Sequence, residues 1–336
     1  MINKSSNFKY KIVTTKTPLR ISFSGGGTDM PYFYEKHGGI TISSSIDKFI
    51  YVTIKKHSNF KEKYRLNYSE TEIVNNIDQI RNLRIRETLK YFNVREPLYI
   101  NTISDLPYNT GLGSSSAFLI GLIKAIYKLK NIKINLSKIC EIAFKIENKI
   151  TNNSLGKQDH YIAAHGGLKK ILYNKKSVNV KKINLTKKNL KYLNDNSIFF
   201  WTGKLRLSNK NLFEQKKNFK INQKNLIKLK NLSLEFEKEL KKNKLNLKTI
   251  GNFLDINWKL KKNFSKNISN NHLDKIYRDA IDNGCYGGKL LGAGGGGFFL
   301  FICEKKYQKK IIKKLSNCKK INFCFENSGV NTCFLN

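Results

Sequence analysis

The chain has 336 residues, 40% of them hydrophobic and 12% aromatic, and a formal charge of +39. Such apolar content over such a length supports ordinary cores and two domains, which excludes a wholly disordered chain. The charge comes from 55 lysines against 8 arginines, beside 41 asparagines scattered along the chain; base-reading surfaces favour arginine, so the excess reads as compositional drift with an anion-friendly surface.

In chain order, strand-like alternation runs over Tyr10–Ser24 and Thr41–Lys55, where β-branched and aromatic residues dominate. Between them lies a glycine-bounded segment with a short helix at Pro31–Lys36. Residues 70–92 suggest a helix, 97–103 a strand, and Ser115–Lys130 an apolar helix. Ser137 can cap a further helix whose stripe is Ile139, Ile142, Ala143, Ile146 and Ile150, with Glu147 on its edge. A second half begins near Ser197 with the strand IFFW, continues through a Lys-rich helical region (212–266), and has a helix ending at Asn283–Gly284. A glycine turn then feeds the strand FFLFICE, and a helix (Lys305–Leu315) and a strand close the chain. The expectation is an α+β fold: an α/β N-terminal domain over 1–195 and a ferredoxin-like α+β C-terminal domain over 196–336.

MINKSSNFKYKIV holds no apolar run of signal-peptide length, and the greasiest stretch, Ala117–Ile123, is too short to span a bilayer. A soluble, cytoplasmic protein with no membrane partner is expected. The six cysteines (140, 285, 303, 318, 324, 333) show no CxxC spacing, so a zinc site has no support.

The stretch PYNTGLGSSSA (107–117) carries the chemistry. A glycine-rich turn opening a helix aims free N–H groups and the positive end of the helix dipole outward. Gly111 and Gly113 let a phosphate approach the backbone, and Ser114, Ser115 and Ser116 add hydroxyls for phosphate oxygens or a magnesium ion. No Walker A string exists. A GxGxxG at Gly292, Gly294 and Gly297 precedes a strand instead of opening a helix, the wrong context for a dinucleotide.

Together with TPLRISFSGGGTD (17–29), LGKQDHYIAAHGG (155–167) and GGKLLGAGGGGFFLF (287–301), this loop resembles the GHMP kinases, in order and over nearly the whole chain. Within that family the likeness is greatest to sugar 1-kinases acting on a heptose 7-phosphate. Where galactokinases carry a Glu-His pair, Gly26 and Gly27 stand here, which argues against plain galactose. The resemblance implies ATP and Mg²⁺, with Pro107, Gly111, Leu112, Gly113, Ser114, Ser115 and Ser116 holding ATP and with Ser115 and Glu147 as metal ligands. It implies Asp159 as the catalytic carboxylate with Arg20 beside it, and Gly25, Gly26, Gly27, Thr28 and Asp29 around the sugar. Arg206, with Lys204, is the candidate for the acceptor's own phosphate. A small-molecule sugar phosphate is thus the expected partner; a kinase for another sugar, such as fucose or an altered heptose, is the second enzyme reading, and nucleic-acid binding through the basic surface is the rival from another class.

Overall fold

A computed structural model describes residues 8–58, 62–205 and 208–336. The first alternating segment becomes β1 (Ile12–Ser24) and the second β2 (Gly39–Lys56), joined through α1 (Pro31–His37). Along β1 the alternation of half-buried and buried residues holds only for the first six positions; from Pro18 onward every residue is buried. The cause is a cover on both faces. Phe23 meets Phe236, from the second half of the chain, with ring centroids 5.9 Å apart, so the far end of the strand has no solvent face.

The segment expected as one helix over 70–92 divides. Short strands β3 (Tyr64–Asn67) and β4 (Thr71–Val74) form a hairpin, a 3₁₀ turn covers Ile77–Gln79, and α2 starts only at Leu83, ending at Tyr91. The alternation of TEIV suits a strand, and Asn76 and Asn82 each accept backbone N–H bonds as caps. Glu72, buried on β4, receives the Tyr68 hydroxyl and the Arg81 and Asn82 amides, which fixes the turn and rules out a continuous helix.

Next come β5 (Leu98–Ser104), α3 (Ser114–Leu129), α4 (Leu136–Ile150), α5 (Gln158–His165), β6 (Leu168–Tyr173), β7 (Val178–Lys182) and α6 (Lys187–Asp195). The cap of α4 is Asn135, whose side chain accepts from Lys138 N; Ser137 lies inside the first turn instead. Helix α3 is buried along nearly all its length. It lies against the sheet, where the Thr15 hydroxyl donates 3.0 Å to the Gly121 carbonyl.

The second half holds β8 (Ser197–Trp201), α7 (Ser208–Lys217), α8 (Phe219–Leu240), α9 (Leu247–Lys262), α10 (Asn271–Asp282), β9 (Gly287–Leu290), β10 (Phe298–Ile302), α11 (Lys305–Lys314), β11 (Lys319–Lys320) and β12 (Asn331–Leu335). Two sheets result, so the fold is α+β. One runs β12-β1-β2-β5-β3-β4, with β6 paired to the start of β2 and β7 to β6; the other runs β11-β8-β10-β9. Only β3 and β5 run parallel, so the first sheet is essentially antiparallel. The last strand returns to the first sheet, Val13 opposite Leu335, so the second half does not close on itself. No helix among the described residues is long and apolar enough to cross a membrane. Cys140, Cys285, Cys303 and Cys318 are buried, Cys324 and Cys333 exposed, and all six are free thiols.

Candidate active site

The end of β1, the start of α3, the ends of α4 and α9, α5 and the turn after β9 converge on one cleft. Its lining includes Arg20, Gly26, Gly27, Asp29, Arg84, Ser115, Ser116, Glu147, Gln158, Asp159, Lys261, Lys289, Gly292 and Ala293.

The serine loop reaches this cleft because two glycine-rich turns lie back to back. A Cβ on Gly111 would stand 2.6 Å from the Leu291 carbonyl, and one on Gly297 would stand 2.3 Å from that of Thr110. Both residues have positive φ, so only glycine fits. Helix α3 then begins behind Gly113, leaving first-turn amides without helical partners. Ser115 and Ser116 line the cleft, whereas Leu112 is core and Pro107 is exposed outside it. The loop's carbonyls also serve Arg20, whose Nη1 donates 2.5 Å to Gly111 O and whose own N–H donates 3.0 Å to Leu112 O.

Arg20 and Asp159 form a two-pronged ion pair, with Nε to Oδ1 and Nη2 to Oδ2 both at 2.7 Å. The arginine is buried and the carboxylate side chain is 24% exposed, towards the cleft. Such a fork fixes the plane of the carboxylate as well as its charge. The sequence placed these two residues 139 positions apart, and the fold makes them partners.

Asp29 sits beside them with no cationic partner among the described residues. Its oxygens accept from Gly27 N (2.9 Å) and Gln158 N (3.0 Å). Burial pushes its carboxyl up, those two amides pull it back, and the nearby Asp159 charge pushes it up again; the balance is raised. Gly156 is required here, because a Cβ would fall 2.0 Å from Asp29 Oδ2. Gly26 and Gly27 line the cleft with it. Thr28 and Gly25 do not: the Thr28 hydroxyl lies 2.8 Å from the carbonyls of Gly25 and Ile40, and Gly25 packs on Ile40. Those two residues shape the loop from behind. Arg206 lies outside the described residues, and Lys204 is exposed away from the cleft lining.

Glu147, on α4, is wholly buried where that helix meets the cleft. Arg84 clamps its Oε1 (Nη2 2.7 Å, Nε 2.9 Å), the Ser116 hydroxyl donates 2.8 Å to Oε2, and His160 Nε2 lies 2.8 Å from the same oxygen. Burial alone would push this carboxyl up, but the Arg84 guanidinium, with His160 and the Ser115 hydroxyl, holds it well below the usual carboxylate range. It therefore stays ionised. Among the described residues no cluster of three or more His, Cys, Asp and Glu is placed to hold a metal. One ionised carboxylate beside serine hydroxyls nevertheless suits Mg²⁺, which takes one or two protein oxygens and completes its shell with phosphate and water.

Sequence reasoning missed three cationic side chains in the cleft: Arg84, Lys261 and Lys289. The first stands on α2, the helical remainder of segment 70–92, and the two lysines carry no signal among 55 of their kind. Lys261 donates to the Gly292 carbonyl. Lys289, on β9, is 2% exposed and donates 3.2 Å to Phe23 O.

A helix start with free first-turn amides, a carboxylate held by arginine and an ionised buried carboxylate face one cleft, an arrangement suited to phosphoryl transfer. The chain belongs to the GHMP kinase family, phosphotransferases that act on hydroxyl groups: the GHMP kinases N terminal domain matches residues 63–167 and the GHMP kinases C terminal domain residues 236–320. More particularly, it is 29% identical to a D-glycero-alpha-D-manno-heptose 7-phosphate kinase of Campylobacter jejuni, over 95% of this chain and 98% of that protein. It is 25% identical to a mevalonate kinase of Saccharolobus solfataricus, again over 95% and 98%. Among solved structures, a D-glycero-D-manno-heptose 1-phosphate kinase from Bacteriodes thetaiotaomicron shares the fold. The TM-score is 0.78 at 20% identity, over 96% of this chain and 99% of that one.

Proposed function

We propose that this GHMP kinase transfers the terminal phosphate of ATP, with Mg²⁺, to the anomeric hydroxyl of a sugar phosphate, D-glycero-D-manno-heptose 7-phosphate. The 1,7-bisphosphate formed would feed nucleotide-heptose and surface-polysaccharide synthesis. The observation that carries the reading is the forked Arg20–Asp159 pair at the foot of the serine loop, with Asp29 beside it. The substrate rests on the similarity to the Campylobacter jejuni enzyme.

In the step itself the anomeric oxygen forms a bond to the γ-phosphorus while the bond to the β–γ bridging oxygen breaks, and ADP leaves. The acceptor's proton moves towards Asp159. Because the carboxylate is already charge-balanced by Arg20, its main task is to orient that hydroxyl, which suits a loose transition state with little early demand for a base. The first-turn amides of α3 and the Ser115 hydroxyl would hold the phosphate tail, and Asp29 would accept from sugar hydroxyls. Ser115 and Glu147 would hold Mg²⁺, which when bound neutralises charge on the phosphates.

The test is product analysis. Wild type and Asp159→Ala are incubated with ATP, Mg²⁺ and the heptose 7-phosphate, and the bisphosphate is sought by mass spectrometry. Bisphosphate from the wild type, reduced at least about 10²-fold in the variant, supports substrate and mechanism together. Turnover of a different sugar, or of mevalonate, and not of the heptose phosphate would remove the proposed acceptor.

A further inference from the structure

Four cations line the cleft, and they differ in how their charge is met. Arg20 faces Asp159 and Arg84 faces Glu147, each across 2.7 Å. Lys289 is as buried as Arg20 and more buried than Arg84, yet its hydrogen-bond acceptor is a neutral carbonyl, that of Phe23. Among the described residues no carboxylate lies within ion-pair distance of it. The three acids of the cleft are occupied elsewhere: Asp159 by Arg20, Glu147 by Arg84, and Asp29 by two backbone amides.

A buried ammonium without a counter-charge is costly, because one carbonyl dipole replaces little of its hydration. Its nearest charged neighbours worsen the situation. Burial pushes the Lys289 ammonium well below the usual lysine range, and Lys261 and Arg20 push in the same direction. Lysine stands there all the same, at the lip of the turn through Gly292 and Ala293, across from the reacting pair. A methionine of similar shape would pack without that cost. The arrangement makes sense when an anion enters the cleft and completes the set.

We infer that Lys289 is a ligand-anchoring residue that binds a phosphate group of a substrate in the cleft. Phosphate is the anion that this class of enzyme must admit. Two sources carry it: the terminal phosphate of ATP, and the acceptor's own phosphate, the latter resting on the acceptor proposed above. Either would accept hydrogen bonds from the ammonium and supply the counter-charge that Lys289 lacks.

Calorimetry on the full chain separates the sources. The titrants are an imido analogue of ATP with Mg²⁺, D-glycero-D-manno-heptose 7-phosphate, and the same heptose without its phosphate. The proteins are wild type, Lys289→Met, and Lys289→Gln, the last retaining a donor for Phe23 O should the methionine variant misfold. The expected result is binding weakened about tenfold or more for a phosphate-bearing titrant, with the unphosphorylated heptose unaffected. A loss confined to the nucleotide assigns Lys289 to the transferred phosphate, and one confined to the heptose 7-phosphate assigns it to the acceptor's own. Unchanged affinity for both in a folded variant overturns the inference, as does an equal loss for the phosphorylated and unphosphorylated sugar. If the wild type binds no heptose phosphate, the proposed acceptor falls, while the nucleotide titration still decides for or against Lys289.

Discussion

The two walls of the cleft handle charge in opposite ways. On the wall built by β1, α2, α3, α4 and α5, Arg20 and Arg84 are each locked to a carboxylate before any ligand arrives. On the wall built by α9 and β9, Lys261 and Lys289 donate to backbone carbonyls. The first wall is preorganised: its dipoles point the right way with nothing left to rearrange on binding. The second holds Lys289 in reserve, with no carboxylate among the described residues within ion-pair distance of it. A phosphotransferase needs both, since the reacting carboxylate must be oriented beforehand and the incoming phosphates bring far more negative charge than a neutral site would accept.

Four measurements break or sharpen that contrast. The largest effect is expected at the reacting pair. Asp159→Asn keeps the shape and removes the charge, so kcat should fall about 10²–10⁴-fold, read in a coupled ADP assay. Next, Arg84→Met leaves the fully buried Glu147 without its guanidinium. Urea unfolding should show a loss of roughly 3 kcal/mol; an unchanged midpoint would mean that this wall is not held by paired charge. Third, Gly297→Ala drives a Cβ towards the Thr110 carbonyl in a backbone conformation that alanine resists. It should cost about 1–3 kcal/mol, and thermal melting would register it as a lowered midpoint.

The smallest effect is on the reserve wall and has the opposite sign. Lys289→Met should not destabilise the empty protein, in contrast to Arg84→Met. Its pH signature is also distinct. The folded state holds the Lys289 proton less tightly than the unfolded chain, whose lysines titrate near about 10.4. Stability should therefore rise with pH between the lowered folded value and the unfolded one. The charged groups responsible are Lys261 on α9 and Arg20 on β1, besides burial itself. Chemical denaturation of wild type and variant across the alkaline range measures the difference, and parallel curves would contradict it.

Much of the preorganised wall was legible in the sequence. Gly111 to Ser116 announce an anion site by local chemistry alone, and Asp29, Glu147 and Asp159 follow from motifs that stand in a known order. The reserve wall was not legible. Lys289 is chemically ordinary until β9 is paired and Phe23 lies over it, a contact between positions 266 apart. Arg84 was hidden in the same way, since its meaning comes from Glu147, 63 positions on. Thr28 was placed around the sugar by the family resemblance, yet its hydroxyl turns back onto Ile40. In the fold, β6, β7 and α6 went unread, whereas β1, β2, β5, β8, β10, α3 and α4 were readable from local pattern. The segment 70–92 was not, because Glu72 organises it through backbone amides of a later turn, which no local pattern reports.

The pairing of β12 with β1 has a consequence for the order of events on the ribosome. Strand β1 borders β2 on one edge, and along Val13–Lys16 its other edge is paired by residues 331–335, which are synthesised long after it. Until those residues emerge, that edge offers unpaired N–H and C=O groups, the kind of template that recruits strands from other chains. Folding that depends on so distant a pairing is intrinsically slow. Chains truncated before Asn331 should therefore be the aggregation-prone ones, however complete their catalytic cleft.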